Sequence, residues 1–302
     1  MYAVDSNFVH TFAGNPLDRA HHLRKDQATL DALQRSDTSR FLIFHQLKVA
    51  TDAAGGLAWI PPNALPSELR SLVFLGLKNG RGHFAASLAT QVTHSPIEAF
   101  SDCRQAVAGL SVEDAGIVSQ ARAMLDWHQR NPYCAVCGKP SRASRGGQIR
   151  ECDTCNKHIF PRTDPVAIML IQNDVKGDFC LLGKSQGRMA QSNFYSALAG
   201  FVDQGESLEE AVRREVKEEA GIRVGQVSYH SSQPWPFPSS LMIGCHGIAI
   251  NQDIVIDTEE MADVAWFDRT QVLSAIAGDN PDLRIPGPGA IAHHLIKAWA
   301  NA

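Results

Sequence analysis

Between residues 200 and 222 the sequence reads G-x5-E-x7-R-E-V-x-E-E-x-G-I. Three of its glutamates, Glu215, Glu218 and Glu219, fall where a short helix normally carries apolar side chains. Ser207 with Glu210 three residues on is a capping box, and Gly221 suits the left-handed position just past a helix end, so a helix is expected over 208–220. At 3.6 residues per turn the three carboxylates lie within an arc of roughly 100°, centred near Leu208, Ala211 and Val212, while Glu210, Arg213 and Lys217 take the opposite face. Unpaired carboxylates buried together cost several kcal/mol or force one of them to hold a proton. Divalent cations remove that penalty, and an oxygen-only donor set favours Mg2+ or Mn2+ over zinc. The bland alternative is a solvated acidic helix, as most charge-rich helices are.

Four of the seven cysteines are grouped as C-x2-C-x14-C-x2-C, namely Cys134, Cys137, Cys152 and Cys155. Two such knuckles joined by a hairpin-length insert have the spacing of a zinc ribbon. Four thiolates in tetrahedral geometry leave no open position, so one Zn2+ per chain is expected in a structural role. Two disulfides are the alternative, disfavoured if the chain resides in a reducing compartment. Cys103, Cys180 and Cys245 stand alone; the last two sit in apolar, strand-like runs as small core residues.

A third constellation is Ser232-Gln233-Pro234-Trp235-Pro236-Phe237-Pro238-Ser239-Ser240. Alternating prolines fix three φ angles, so two rings are expected on a stiff, extended backbone. Flat faces for a base and short polar groups for ribose or phosphate suit a nucleotide. A proline-rich ligand for a partner, or plain packing beside a sheet, are the rival readings.

The elements that must position these groups follow from pattern. The chain has 302 residues, 44% hydrophobic, which suggests about two packed domains. Runs at 40–49 and 69–77 read as strands, and Ser111 opens a helix with Ala115, Val118, Ala121 and Leu125 at helical spacing, ended by Asn131-Pro132. Strands are expected at 166–171, 179–183, 195–199, 223–229, 241–250 and 264–267, alternating with the acidic helix and two later ones. Gly80-Arg81-Gly82-His83-Phe84-Ala85 loosely fits a dinucleotide-binding fingerprint, but Asn79-Gly80 is a hairpin signal and 84–89 reads as the returning strand.

No apolar run approaches the roughly 18 residues of a membrane span, and residues 1–10 contain Asp5 and no apolar core segment. A soluble, cytoplasmic protein with no membrane partner is therefore expected. The net charge of −4 argues against nucleic-acid binding by bulk electrostatics, though not against a local patch.

Residues 200–222 resemble the Nudix box with no departure at any fixed position. The ribbon upstream and the Ser-Gln-Pro-Trp-Pro-Phe-Pro-x-Ser run downstream resemble the NADH pyrophosphatase branch of that superfamily, from about Cys134 to the C-terminus. The fold this implies is α+β: a Nudix α-β-α sandwich (161–302) preceded by a zinc ribbon (131–160) and an N-terminal α+β domain (1–130). By the same resemblance Glu215 and Glu219 look like metal ligands, with Glu218 a ligand or the base that activates water. Glu260 sits where the family has a further metal-binding glutamate, and Ala199 would offer its carbonyl. Arg214 would pair with Glu206, with Gly200 and Gly221 as the structural glycines of the box. Phe201, Phe160, Gln233, Pro234, Trp235, Pro236, Phe237, Pro238, Ser239, Ser240 and Ala292 look like substrate contacts. Phe160 departs from the tyrosine that family members can carry there, so a hydroxyl contact is lost while ring packing survives.

The implied reaction is hydrolysis of the diphosphate of NADH or NAD+ to a nicotinamide mononucleotide and AMP, with two or more Mg2+ or Mn2+ per site and a homodimeric assembly. Removal of an NAD cap from RNA by the same chemistry is one alternative. Lys139, Arg142, Arg145, Arg150, Lys157 and Arg162 of the ribbon could meet an RNA backbone, or could only offset the roughly −2 charge of a Zn(Cys)4 centre and nearby carboxylates. A Nudix hydrolase for other nucleoside diphosphate derivatives is another. A zinc-ribbon sensor that has lost activity is disfavoured by the intact glutamates, and an oxidoreductase rests on the Gly80 fingerprint alone.

Overall fold

A computed structural model describes residues 8–66, 69–89, 97–187 and 189–302. Residues 1–7, on which most of the expectation of a leader-free start rests, lie outside the described residues. The chain forms two compact units. One comprises Thr11–Thr163 with Pro234–Ser239, the other Met1–His10, Asp164–Gln233 and Ser240–Ala302. The expected N-terminal domain and ribbon together make up most of the former.

In the unit containing 11–163, α1 (Gln27–Arg35) precedes β1 (Arg40–His45), β2 (Lys48–Thr51), β3 (Trp59–Ile60), β4 (Leu69–Lys78), β5 (Arg81–Leu88) and β6 (Ala99–Ser101). Their sheet runs β4-β5-β1-β2-β6, with β3 on β1 and a parallel β1/β5 pair. Alternation along β1 fills both faces. Leu42 and Phe44 join Ile117, Val118, Ala121 and Leu125 of the long helix α3 (Val112–Arg130), whereas Phe41 and Ile43 join Leu30 of α1. The short α2 (Cys103–Ala106) precedes α3. The single strand expected at 40–49 is two strands, because Gln46 and Leu47 adopt φ of 50° and 61° and turn the chain back. Neither residue is a turn former, so composition hid the hairpin. At 79–80 the hairpin signal is realised: Lys78 pairs with Arg81 in antiparallel register, so the glycines there open a strand and not a helix. The ribbon strands β7 (Arg142–Ser144), β8 (Ile149–Glu151) and β9 (His158–Ile159) form their own sheet.

The other unit is built on β10 (Asp164–Gln172), β11 (Phe179–Ser185), β12 (Leu198–Phe201), β13 (Val224–Trp235), β14 (Ser240–Ala249) and β15 (Met261–Asp268), in order β13-β14-β10-β11-β15 with β12 on β10. Helix α4 (Leu208–Ala220) covers one face through Ala211, Val212 and Val216 against Ala167, Met169 and Ile171. Helices α5 (Arg269–Ala277) and α6 (Ile291–Ala300) cover the other, where Val272, Leu295 and Trp299 meet Ile168 and Leu170. This is an α-β-α sandwich. The strand expected from 195 begins only at Leu198, and the proline-rich strip is extended only as far as Trp235, where β13 ends: residues 236–239 turn before β14. Among the described residues no helix is long and apolar enough to cross a membrane.

Candidate active site and metal centre

Helix α4 starts and stops where its caps dictate. Ser207 accepts from the Glu210 amide while the Glu210 carboxylate accepts from the Ser207 amide, and Gly221 closes the helix at φ 70°. The first of the three clustered glutamates, Glu215, is placed by a glycine: a Cβ on Gly200 of β12 would lie 1.9 Å from the Glu215 carboxyl carbon, so the strand admits this side chain only because residue 200 has none.

Arg214 organises the rest. Nε and Nη2 form a two-pronged bond to Glu206 at 2.7 and 2.9 Å, and Nη2 also donates to the Phe201 carbonyl. Nη1 donates to Glu215 at 2.8 Å and Glu218 at 2.9 Å. Those five bonds use all five N–H donors of a guanidinium. They hold the Glu206 carboxyl well below the usual range, near 2, and raise Arg214 above its ordinary value.

Among the described residues Glu219 has no such partner. It is 7% exposed, its Oε2 is buried without a hydrogen bond, and burial, then the charges of Glu215, Glu260 and Glu218, push its pKa up to about 8. Burial likewise raises Glu215, against the pull of Arg214. Glu260 is exposed on the loop before β15, and that loop is tied to the end of α4 by Val255 N to Ala220 O and Asp257 N to Glu219 O. These residues fit divalent cations: an orphaned buried carboxylate oxygen facing further acidic groups is a site that positive charge completes. Among the described residues, however, no three of these carboxylates reach within 4.8 Å of one another; Arg214 keeps Glu215 and Glu218 for itself.

The cysteines do meet that distance. All four Sγ atoms lie within 4.8 Å of one another, with Cys134 to Cys155 at 3.6 Å and Cys137 to Cys152 at 3.5 Å. Zinc–sulfur bonds of about 2.3 Å at tetrahedral angles require S···S of about 3.8 Å. Each knuckle repeats the same turn, with the residue four past the first cysteine left-handed, Gly138 at φ 70° and Asn156 at φ 56°. None of the seven cysteines forms a disulfide. Backbone N–H groups aimed at sulfur lower Cys134 and bring Cys152 down to about 6, whereas burial pushes Cys155 up.

The remaining expected contacts divide. Phe201 is 59% exposed, a ring available to a ligand, and Phe160 is also exposed. Ala199 lies half-buried on β12 beside Gly200, and Ser240 opens β14. Gln233 is 1% exposed: its Nε2 donates to Gly289 O and its Oε1 accepts from Ile291 N, so it caps the start of α6, whose own N-cap, Ala290, has no side chain to do so. Ala292 is buried core of α6.

Within the other unit, Trp235 and Phe237 stand 5.4 Å apart and both meet the buried Phe12, at 5.8 and 5.5 Å. Arg104 and Arg122 sit over the Phe237 ring. Sequence reasoning missed Phe12 and both arginines, which lie far away in the chain and carry no motif. Of the six ribbon cations, Arg142 is bonded to Glu151 and Asp153, Arg150 to Ser141 and His128, and Arg162 is engaged as well; among the described residues Lys139, Arg145 and Lys157 have no acidic partner.

Against known proteins, residues 161–285 match the NUDIX domain family and residues 38–127 the NADH pyrophosphatase-like rudimentary NUDIX domain. The NAD-capped RNA hydrolase NudC of Mycobacterium bovis is 34% identical over 299 residues, covering 94% of this chain and 92% of that protein. Human NAD-capped RNA hydrolase NUDT12 is 42% identical over 203 residues, 64% of this chain and 43% of that protein; human NAD(P)H pyrophosphatase NUDT13, mitochondrial, is 38% identical over 218 residues, 67% and 59%. The chain thus spans under half the length of the NUDT12 relatives it matches.

Proposed function

The chain belongs to the Nudix family, in its NADH pyrophosphatase-like branch, and on that footing we propose that it hydrolyses the diphosphate of NADH or NAD+ to a nicotinamide mononucleotide and AMP. The observation that carries the reading is the buried, unpartnered Glu219 oxygen beside Glu215 on one helix face. Mg2+ or Mn2+ held by Glu215 and Glu219, with Glu218, Glu260 and the Ala199 carbonyl, would neutralise the phosphate oxygens and acidify the attacking water. A glutamate beside that water, Glu218 at the solvent edge of the cluster or the buried Glu219, would accept its proton at a carboxylate oxygen. Arg214 and Glu206 keep the loop after β12 and the helix in one arrangement. The exposed Phe201 ring offers a stacking face, and the half-buried Trp235, with Phe160, Pro234, Pro236, Phe237, Pro238, Ser239 and Ser240, supplies further contacts; Gln233 and Ala292 act by placing α6. The four cysteines hold one structural Zn2+.

NAD-capped RNA is the second substrate of this proposal, supported by the names of the NudC and NUDT12 relatives. A cytoplasmic homodimer belongs to the proposal too, on family resemblance. The test is incubation with NADH and Mg2+ or Mn2+ and chromatography of the products. Glu219→Gln is expected to lower kcat by on the order of 10²–10⁴ with zinc content unchanged; near wild-type turnover in that variant sinks the reading.

A further inference from the structure

Glu260 is exposed in the turn before β15, yet, after burial, its charge is among those that raise Glu215 and Glu219 on α4. The turn closes on itself: Met261 N donates to Asp257 O at 2.9 Å, and Glu259 N to the Asp257 carboxylate at 2.8 Å. One end is tied to α4 through Asp257 N and Glu219 O. The other is pinned by Met261, 4% exposed, whose Cε fills the space that a Cβ on Gly183 of β11 would need. Where the turn enters the sheet the register slips: Lys184 pairs with Asp263 and Ser185 with Met261, so Ala262 is an extra residue in β15. Such a bulge bends its strand and re-aims the side chains beside it.

Between those two ends, three carbonyls of the turn accept from one residue. Gln186, directly after β11, donates its backbone N–H to Glu260 O at 2.8 Å and its side-chain Nε2 to Thr258 O at 3.0 Å and Met261 O at 3.3 Å. A primary amide has two N–H donors, and both are spent on this turn. A turn fastened only at Asp257 and Met261 can pivot about the line joining them, and the carboxylate between would swing with it. The bonds from Gln186 remove that freedom. Among the described residues the Gln186 side chain bonds none of the clustered carboxylates, so it acts on Glu260 through the backbone alone.

We propose that Gln186 is a positioning residue for the metal centre, holding the 257–261 turn so that the Glu260 carboxylate stays within reach of a cation on Glu215 and Glu219. The inference deepens the reading of Glu260 as a metal ligand and rests on it. Gln186 touches neither cation nor substrate. Its contribution is to order an exposed turn in advance, so that the entropy of fixing Glu260 is not lost at the moment a cation binds.

Mn2+ affinity of the zinc-loaded protein without substrate, read by electron paramagnetic resonance of the free ion, tests this in wild type, Gln186→Met, Glu260→Gln and the double variant. Methionine keeps the length of the side chain and removes both donors; zinc content and melting temperature in chelator monitor the fold. Gln186→Met is expected to weaken Mn2+ binding about fivefold, the scale of one hydrogen bond. The Mn2+ concentration for half-maximal NADH hydrolysis should rise by the same factor, with kcat recovered at saturating Mn2+. In the Glu260→Gln background the same substitution should cost nothing more, because the carboxylate it positions is gone. An equal loss in both backgrounds means that Gln186 acts on the fold and not through Glu260, which overturns the proposal, as does unchanged Mn2+ affinity in Gln186→Met. Failure of the underlying activity shows separately: the non-additive pattern in a protein that leaves NADH intact upholds the positioning and condemns the hydrolysis. Mn2+ affinity unaffected by Glu260→Gln condemns the ligand role of Glu260 and its positioning together.

Discussion

Gly200 and the Glu215 carboxylate lie so close that neither can change size independently. Replacing Gly200 by alanine puts a methyl group 1.9 Å from the carboxyl carbon, which must swing out of the cluster. Gly200→Ala is therefore expected to cut kcat by about two orders of magnitude, the scale of losing one electrostatic contact to the reacting group, while circular dichroism stays native. Glu219 offers a test independent of turnover. Its folded pKa, about 8, lies above the carboxylate's unperturbed 4.5, so the folded state holds the extra proton and stability contributed by that proton is lost as pH rises from 4.5 through 8. In chelator, Glu219→Gln should thus melt higher than wild type at pH 9, by on the order of 5 °C, and no higher at pH 5. At this scale the sequence was uneven as a guide. The glutamates were legible because helical periodicity and charge clash, but the five bonds of Arg214 and the exposure of Glu218 depend on rotamers that no spacing encodes.

Helix α4 ran to its predicted bounds, Leu208 and Ala220, because both ends are written in local chemistry, a reciprocal cap and a glycine. The Gly221 position is doubly restricted, since φ is 70° and an added Cβ would meet the Val255 Cβ at 2.8 Å. Gly221→Ala is expected to destabilise the protein by about 1–2 kcal/mol, read from chemical denaturation, by straining the cap and displacing the loop that precedes Glu260. Elements whose ends depend on tertiary partners were misjudged. The hairpin at Gln46-Leu47 has no turn residue to announce it, and the proline-rich strip turns under the hold of Phe12, Arg104 and Arg122, none of which a local window contains. The ribbon is the opposite case, since four cysteines at fixed spacing define it. Elemental analysis should find about one zinc per chain, absent in Cys152→Ser, with local loss of the β7–β9 sheet visible by hydrogen exchange.

Over the whole molecule, both units place a mixed sheet with one parallel pair between helical layers. Burial also sets a common response to acid. His10, His128 and His246 are depressed to about 4, and His83, His230 and His294 are lowered, in each case chiefly by burial. The unfolded chain takes up those protons first, so their contribution is present above pH 6.5 and is lost as pH falls towards 4. Glu219 and Glu215 work in the other direction, two groups against six, and melting temperature in chelator should fall overall between pH 6.5 and 4.

The path of the backbone has a practical corollary. Because Pro234–Ser239 groups with residues 11–163 while both flanking strands belong elsewhere, no single cut of the gene yields two intact halves. A truncated polypeptide starting at residue 161 would carry Trp235 and Phe237 away from Phe12, Arg104 and Arg122, and would also lose the His10 imidazole that bonds the Ser231 hydroxyl at 2.7 Å. Such a fragment would keep every glutamate of the acidic cluster and still come out of the ribosome with its proline-rich turn unmoored, so engineers seeking a minimal protein should graft whole chains and leave the borders alone.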